Sequence, residues 1–353
     1  MTAFRDRIYG SLVLAGIGDA LGAPTELWSI EEVFSHYNGL ATRFETPMPD
    51  TFAGANHGKR GEVTDDASQM YYLARAIVKA DGRLDQKAWV DCLLDWAATS
   101  PKSAFMGPTT AAIVNALREG KPLDTIGVVG TSKRKLPSLG NTNGSAMRVA
   151  PAGLVHPGDI ASACNLALVT CLPSHDTDVA IASACAVAAG AAVAMVGAGH
   201  DEVIRACREG GVIGTRLAVE HARVPPGPRF TTRLDLALQI AAQAGDDDRR
   251  FLTDLEAAIG TGVLACESVP AAIAILAYAK GDPLRTVALG ASAGGDTDTL
   301  ATMAGGVVGA MVGKAGLPAS LTREFLDMND AEYGFDKLAD GLTLIAERNS
   351  GNA

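Results

Sequence analysis

Aromatic residues make up only 5% of this 353-residue chain, while Ala and Gly are abundant. That scarcity favours closely packed helices over a β-sandwich. No period-2 strand series is found, and the six cysteines (Cys92, Cys164, Cys171, Cys185, Cys207, Cys266) show no CxxC spacing. Most of them lie in apolar runs and read as small buried hydrophobes. Basic charge is also short. Thirty Lys and Arg face 40 Asp and Glu, for a net charge of −10, which excludes a broad nucleic-acid or membrane-surface footprint. Met1–Gly18 carries no signal-peptide pattern, so a reducing cytoplasm is expected. One stretch, Val179–Gly199, contains no charged residue and is long enough to span a bilayer. It is largely Ala and Gly, however, and reads as a buried helix at the centre of a bundle.

Helical periodicity dominates what is present. Phe4, Ile8, Leu12 and Ala15 trace one face of an opening helix. Met70, Leu73, Ala74 and Ile77, and again Trp89, Leu93, Leu94 and Ala97, follow i, i+3, i+4, i+7 spacing. Further helices are predicted over 161–169, 179–196, 234–244, 252–259, 269–279 and 299–312, with Gly260, Gly281 and Gly313 as stops and Pro270 in a first turn. Loops are predicted over 45–61, 133–143 and 224–228 from Pro and Gly clusters, with Lys133-Arg134-Lys135 as a solvated face or a phosphate-steering patch. The expected architecture is all-α, a single domain over 1–353.

Two acidic clusters stand out, Thr64-Asp65-Asp66 and Asp296-Thr297-Asp298-Thr299. Each places hard oxygen donors side by side at the mouth of an apolar helix. Asp66 followed by Gln69 has capping-box spacing, and Asp298 also suits an N-cap. Capping leaves Thr64, Asp65, Asp296 and Thr299 surplus. Carboxylate and hydroxyl donors suit Mg²⁺ or Mn²⁺, whereas Zn²⁺ prefers His or Cys. The four Asp charges would balance two divalent ions, and a two-metal site orients substrate and activates water. His175-Asp176-Thr177-Asp178 echoes the second cluster, and spacing does not choose between the two.

Other segments are small and polar. Gly16–Gly22 superficially suggests a dinucleotide fingerprint, but its last interval is one residue too long and no βαβ pattern follows; its glycines read as a close helix–helix approach. Glu26 lies just past Pro24. Gly140–Ser145 reads either as a plain turn or as a pyrophosphate cradle, and Phe105–Thr110 opens a helix that presents amides. Arg148 reads as an ion-paired structural residue, and His175 as a ligand contact or a satisfied core histidine.

In this order, GDALGAPTE at 18–26, TDD at 64–66, MGPTT at 106–110, NGSAMR at 143–148, SH at 174–175 and GGDTDT at 294–299 resemble the ADP-ribosylglycohydrolase family, almost end to end. The resemblance implies an orthogonal multi-helix fold with a binuclear Mg²⁺ or Mn²⁺ centre. Thr64, Asp65, Asp66, Asp296, Asp298 and Thr299 would be the metal ligands. Glu26 would be a mobile acid over them, catalytic together with Asp65 and Asp66. Gly107, Thr109, Asn143, Gly144 and Ser145 would line pyrophosphate and ribose, and His175 would lie near the ligand. Asp176 and Asp178 become capping residues. The implied reaction is hydrolysis at the ribose C1″ of an ADP-ribosylated protein, nucleic acid or small molecule. The chain departs from arginine-specific members at Phe105-Met106, where they carry an Asp, and this counts against arginine-linked ADP-ribose. Alternatives are a ribosyl or nucleoside hydrolase on a free small molecule, a non-catalytic ADP-ribose-binding protein, and a two-metal phosphoesterase, which the absence of metal-binding His disfavours.

Overall fold

Glycine decides how closely the two central helices approach. In the computed structural model, which describes residues 3–351 except 124, 129–133 and 137, the opening helix Ala3–Gly22 packs most extensively against Thr297–Val312. A Cβ on Gly10 would lie 2.4 Å from the Gly309 carbonyl oxygen, and one on Gly18 would lie 2.4 Å from that of Ala301. Backbone therefore meets backbone along the whole crossing. The opening helix is buried on every side from Ile8 to Gly22.

Around this pair the other helices close the core. Asp178–Met195 packs on His200–His221 and Ile160–Cys171 on one flank; Ala265–Tyr278 joins Phe230–Gln243 to the centre, and Phe335–Ser350 and Asp65–Lys79 cover the opposite side. Among the described residues there are seventeen α-helices, four 3₁₀ turns and no strand, only three isolated bridges. One large apolar cluster runs from Ile8 to Ala346. Asp178–Met195 is apolar and long enough to cross a membrane, and 94% of it is buried inside the protein. It is a core helix, as its Ala/Gly composition suggests.

Most predicted helices are present with boundaries shifted by a few residues. Pro270 is a correction: its helix begins at Ala265, so the proline sits past the first turn. There it removes one helical hydrogen bond. The helix starts early because Ala265 N–H is held by the Asn141 carbonyl at 3.0 Å. His200–His221 is not among the predicted helices; it carries Gly210, Gly211 and Gly214 in its interior. Lys135 is not a solvated residue; its ammonium bonds Asp176 at 2.9 Å and the Leu123 carbonyl at 3.0 Å. Lys133 lies outside the described residues.

The glycine crossing gives a direct test. Gly10→Ala is expected to cost about 1–3 kcal/mol by forcing the helices apart. Gly227→Ala, whose Cβ would meet nothing within 4 Å, is expected to stay within about 0.5 kcal/mol of wild type. Denaturant unfolding measures both; equal effects would mean that the crossing does not limit stability.

Candidate active site

The last glycine of the opening helix builds the site. A Cβ on Gly22 would stand 2.4 Å from both the Cα and the N of Asp298, so only glycine lets the helix end reach the second acidic cluster. The chain then turns through Ala23–Thr25. The Thr25 hydroxyl sits 2.9 Å from the carbonyls of Gly22 and Ala291, fixing this corner to the other helix pair. Glu26 follows at once, and its carboxylate lies with those of Asp296 and Asp298 in a group in which one oxygen from each is within 4.8 Å of the others.

Short backbone pairings hold that group side by side. Leu27 N–H bonds the Gly295 carbonyl at 2.8 Å and Gly295 N–H bonds the Trp28 carbonyl at 3.0 Å. On the other side, Asp296 N–H reaches the Thr261 carbonyl at 2.8 Å, and Asn143 N–H reaches that of Val263 at 3.0 Å. Gly294 and Gly295 both have φ near +70° (72° and 71°), a conformation that side chains resist. The Asn143 amide donates to Asp296 Oδ2 at 2.5 Å and to Ser268 Oγ at 2.9 Å.

The first cluster is aimed by a residue that the sequence reading passed over. Asp19, fully buried on the opening helix, accepts from Thr64 N–H at 3.0 Å, from the Thr64 hydroxyl at 2.8 Å and from Ala67 N–H at 2.9 Å. Hydrogen bonds to a charged acceptor contribute about 1.5–3 kcal/mol each, enough to pin the N-terminus of Asp65–Lys79. A single charged residue in the buried stretch Ile8–Gly22 was the available signal. Burial raises its carboxyl to about 6.

The capping readings need correction. Thr64, not Asp66, is the N-cap of Asp65–Lys79, and the Gln69 side chain donates to Asp65 Oδ2 at 3.1 Å. Asp66 Oδ1 is buried without a partner. Asp296 occupies the N-cap position of Thr297–Val312 without making a side-chain cap, and Asp298 lies in the first turn. In the echo segment Thr177 is the cap; Asp176 is bound by Lys135 and Arg223, and Asp178 by Arg229 at 2.7 Å. The two DTD segments thus differ in charge. Among the described residues, no Lys or Arg forms an ion pair with Glu26, Asp65, Asp66, Asp296 or Asp298.

That lack has a large energetic consequence. Two unit charges near 4.8 Å apart repel by about 3 kcal/mol at an effective dielectric of about 20. Three such pairs approach the roughly 5–15 kcal/mol net stability of a domain, so the group must hold protons or cations. Accordingly Asp65, Asp66 and Asp298 are raised well above the usual carboxylate range, first by burial and then by one another and by their acidic neighbours. Glu26 is raised to about 8 by burial, then by Asp296 and Asp19.

The remaining candidates lie on the turn Asn143–Ser145, at the helix start Gly107–Thr109 and at His175. Asn143–Ser145 forms a buried 3₁₀ turn rather than an open loop. Gly107 starts the helix Pro108–Arg118 with open space at its Cβ position, Thr109 is buried behind it, and Thr110 Oγ1 lies 3.5 Å from where a Gly144 Cβ would be. His175 is completely buried; its Nδ1 pairs with Ser174 Oγ at 2.8 Å and its Nε2 with Thr142 Oγ1 at 3.0 Å. Burial, then Arg148, holds its pKa well below the ordinary value. Both ring nitrogens are occupied, so His175 supports the 142–144 turn from beneath. Arg148 is buried but not ion-paired. It donates to Gln69 Oε1 at 2.9 Å, and through that amide reaches Asp65, while its guanidinium lies 4.9 Å over Trp89. Its pKa is lowered to about 10 by burial.

Comparison with known proteins bears on the family and the fold. The family model described as ADP-ribosylglycohydrolase matches residues 1–351. The YegU protein of Escherichia coli K12, itself uncharacterized, is 32% identical over 331 residues, covering 93% of this chain and 94% of that protein. An uncharacterized protein of Archaeoglobus fulgidus is 26% identical over 328 residues, or 92% and 93% of the two chains. A solved "ADP-ribosylglycohydrolase-related protein complex" superposes with a TM-score of 0.63 over 98% of this chain and 100% of that one, at 21% identity, which speaks for a shared fold.

The raised Glu26 carboxyl predicts a pH dependence. Folded protein keeps a proton that the unfolded chain releases between its ordinary 4.5 and about 8. Stability is therefore full below that window and falls as pH rises through it. Without divalent cations, the thermal midpoint is expected to drop between pH 4.5 and about 8, and Glu26→Gln to flatten the drop. An equally steep fall in that variant would show that another group titrates.

Proposed function

The chain belongs to the ADP-ribosylglycohydrolase family, and we propose that it hydrolyses the glycosidic bond at the ribose C1″ of an ADP-ribosylated substrate, using divalent cations held by the acidic group. The observation that carries this reading is the cluster of buried carboxylates without protein cations. The donor set fits Mg²⁺ or Mn²⁺: all candidates are hard oxygens, and Asp66 Oδ1 is buried with nothing to accept from. Thr64, Asp65, Asp66, Asp296, Asp298 and Thr299 would hold two such ions. When bound, they supply Lewis acidity and a fixed point for ribose hydroxyls.

The chain's own groups have separate roles in this reading. Asp65 and Asp66, buried and set by Asp19 and Gln69, stabilise positive charge that builds on the ribose ring. Glu26 stands half-buried at the edge of the group, where it can hold or transfer a proton at the reacting centre. Gly107 and Thr109, on the helix whose Thr110 lies near Gly144, would form with the Asn143–Ser145 turn the wall for the pyrophosphate and distal ribose. Asn143 keeps the wall in register with Asp296, and His175 supports it. Phe105 packs against Ala23, Ala53 and Phe52 and offers no carboxylate to a guanidinium leaving group. The whole chain acts as one domain, and its six free cysteines suit a reducing compartment.

Asp66→Asn is expected to reduce turnover of ADP-ribosyl conjugates at least about 100-fold, with weakened Mg²⁺ and Mn²⁺ binding by calorimetry and an unchanged helical circular-dichroism spectrum. In the cation-free state the same variant should melt no lower than wild type, because one repelling charge is gone; saturating Mn²⁺ should reverse that order. Full activity in the presence of chelator would refute the cation dependence. Turnover of plain nucleosides alone would shift the substrate to a free ribosyl compound.

A further inference from the structure

Leu27, next to Glu26, combines two features that folding does not reward. Its φ is +68°, in the left-handed region, and its side chain is 70% exposed. A γ-branched apolar residue gains nothing from burial there and carries backbone strain. Other large apolar side chains are as exposed, among them Val219 and Leu344, but they lie on regular helices. The Leu27 conformation is enforced by the paired bonds with Gly295, one residue before Asp296. Across Asp296, Val263 is a second exposed apolar residue, at 48%, on the segment that bonds Asn143. Along the four paired segments the only charged side chains are Glu26 and Asp296 themselves.

We propose that Leu27, with Val263, is the specificity-determining apolar rim that receives the leaving group of the substrate, and that this group is uncharged and apolar beside the scissile bond. The inference rests on the hydrolytic reading of the site and names the chemistry on the far side of the bond. Leu27 follows Glu26 directly and its backbone bonds Gly295, one residue before Asp296, so an exposed apolar side chain lies on the segment that carries the acidic group. A strained conformation held by the same backbone bonds that position Gly295 keeps the isobutyl group turned to solvent, available to a ligand.

The test compares two ADP-ribose glycosides, 1″-O-benzyl and 1″-O-methyl, whose alcohols are similar leaving groups but differ in apolar surface. Leu27→Asn retains tolerance of the left-handed conformation and removes the apolar contact. Its kcat/KM for the benzyl conjugate is expected to fall about tenfold, with the methyl conjugate within about twofold of wild type, and Val263→Asn to show the same selectivity. Leu27→Gly, which relieves the strain, is expected to melt no lower than wild type. Equal losses on both conjugates, no loss on either, or a markedly lower melting point for Leu27→Gly would overturn the proposal. If wild type cleaves neither glycoside but does cleave other ADP-ribosyl conjugates, the apolar leaving group is refuted while the activity stands. If it cleaves no ADP-ribosyl compound, the hydrolytic reading falls and takes this inference with it.

Discussion

Mutual repulsion among buried carboxylates is the constraint to which the rest of this architecture answers. Glu26, Asp65, Asp66, Asp296 and Asp298 come from three distant stretches, and none has a Lys or Arg partner among the described residues. Left to themselves, such charges would push their helices apart. They are held instead by contacts that allow little adjustment. Gly22 abuts the Asp298 backbone, Asp19 grips the amides of Thr64 and Ala67, and Thr25 and Thr297 lock the turn between them. Close packing resists small displacements because an interior near crystal density has nowhere to relax. The scaffold therefore stores an electrostatic cost that protons or divalent cations relieve.

The helical class and the two acidic clusters were legible because both are local patterns. Apolar spacing reports a helix face directly, and adjacent acids at a helix entry need no tertiary knowledge to notice. His200–His221 was not legible for the opposite reason. Gly210 and Gly214 interrupt its pattern, yet each faces the helix Asp178–Met195, where a Gly210 Cβ would lie 2.4 Å from the Cys185 carbonyl oxygen. Those glycines serve an interface, and an interface is invisible until both partners are placed. The same holds for Asp19, whose partner amides lie 45 residues onward.

Capping assignments failed for a related reason. Asp66 and Asp298 have sequence contexts suited to N-caps, but the cap position went to Thr64 in one helix and to Asp296 in the other. A shift of one or two positions changes a carboxylate from a group that satisfies backbone amides into one with spare lone pairs. Asp66 Oδ1, buried and partnerless, shows the result. Sequence spacing cannot resolve this, because Thr and Asp are comparable N-caps and the choice depends on which side chain tertiary contacts leave free.

The two DTD segments show what does discriminate. Both begin long apolar helices and both contain the same donors in the same order. They differ in what surrounds them. Asp176 sits between Lys135 and Arg223, and Asp178 faces Arg229, so their charges are cancelled by side chains folded against them. Asp296 is met by an amide and a backbone corner, and Asp298 by further carboxylates. A buried acid with a protein cation is a structural element; a buried group of acids without one needs protons or a cation from outside. That asymmetry, rather than the motif, makes 296–299 and not 176–178 the second half of the proposed site.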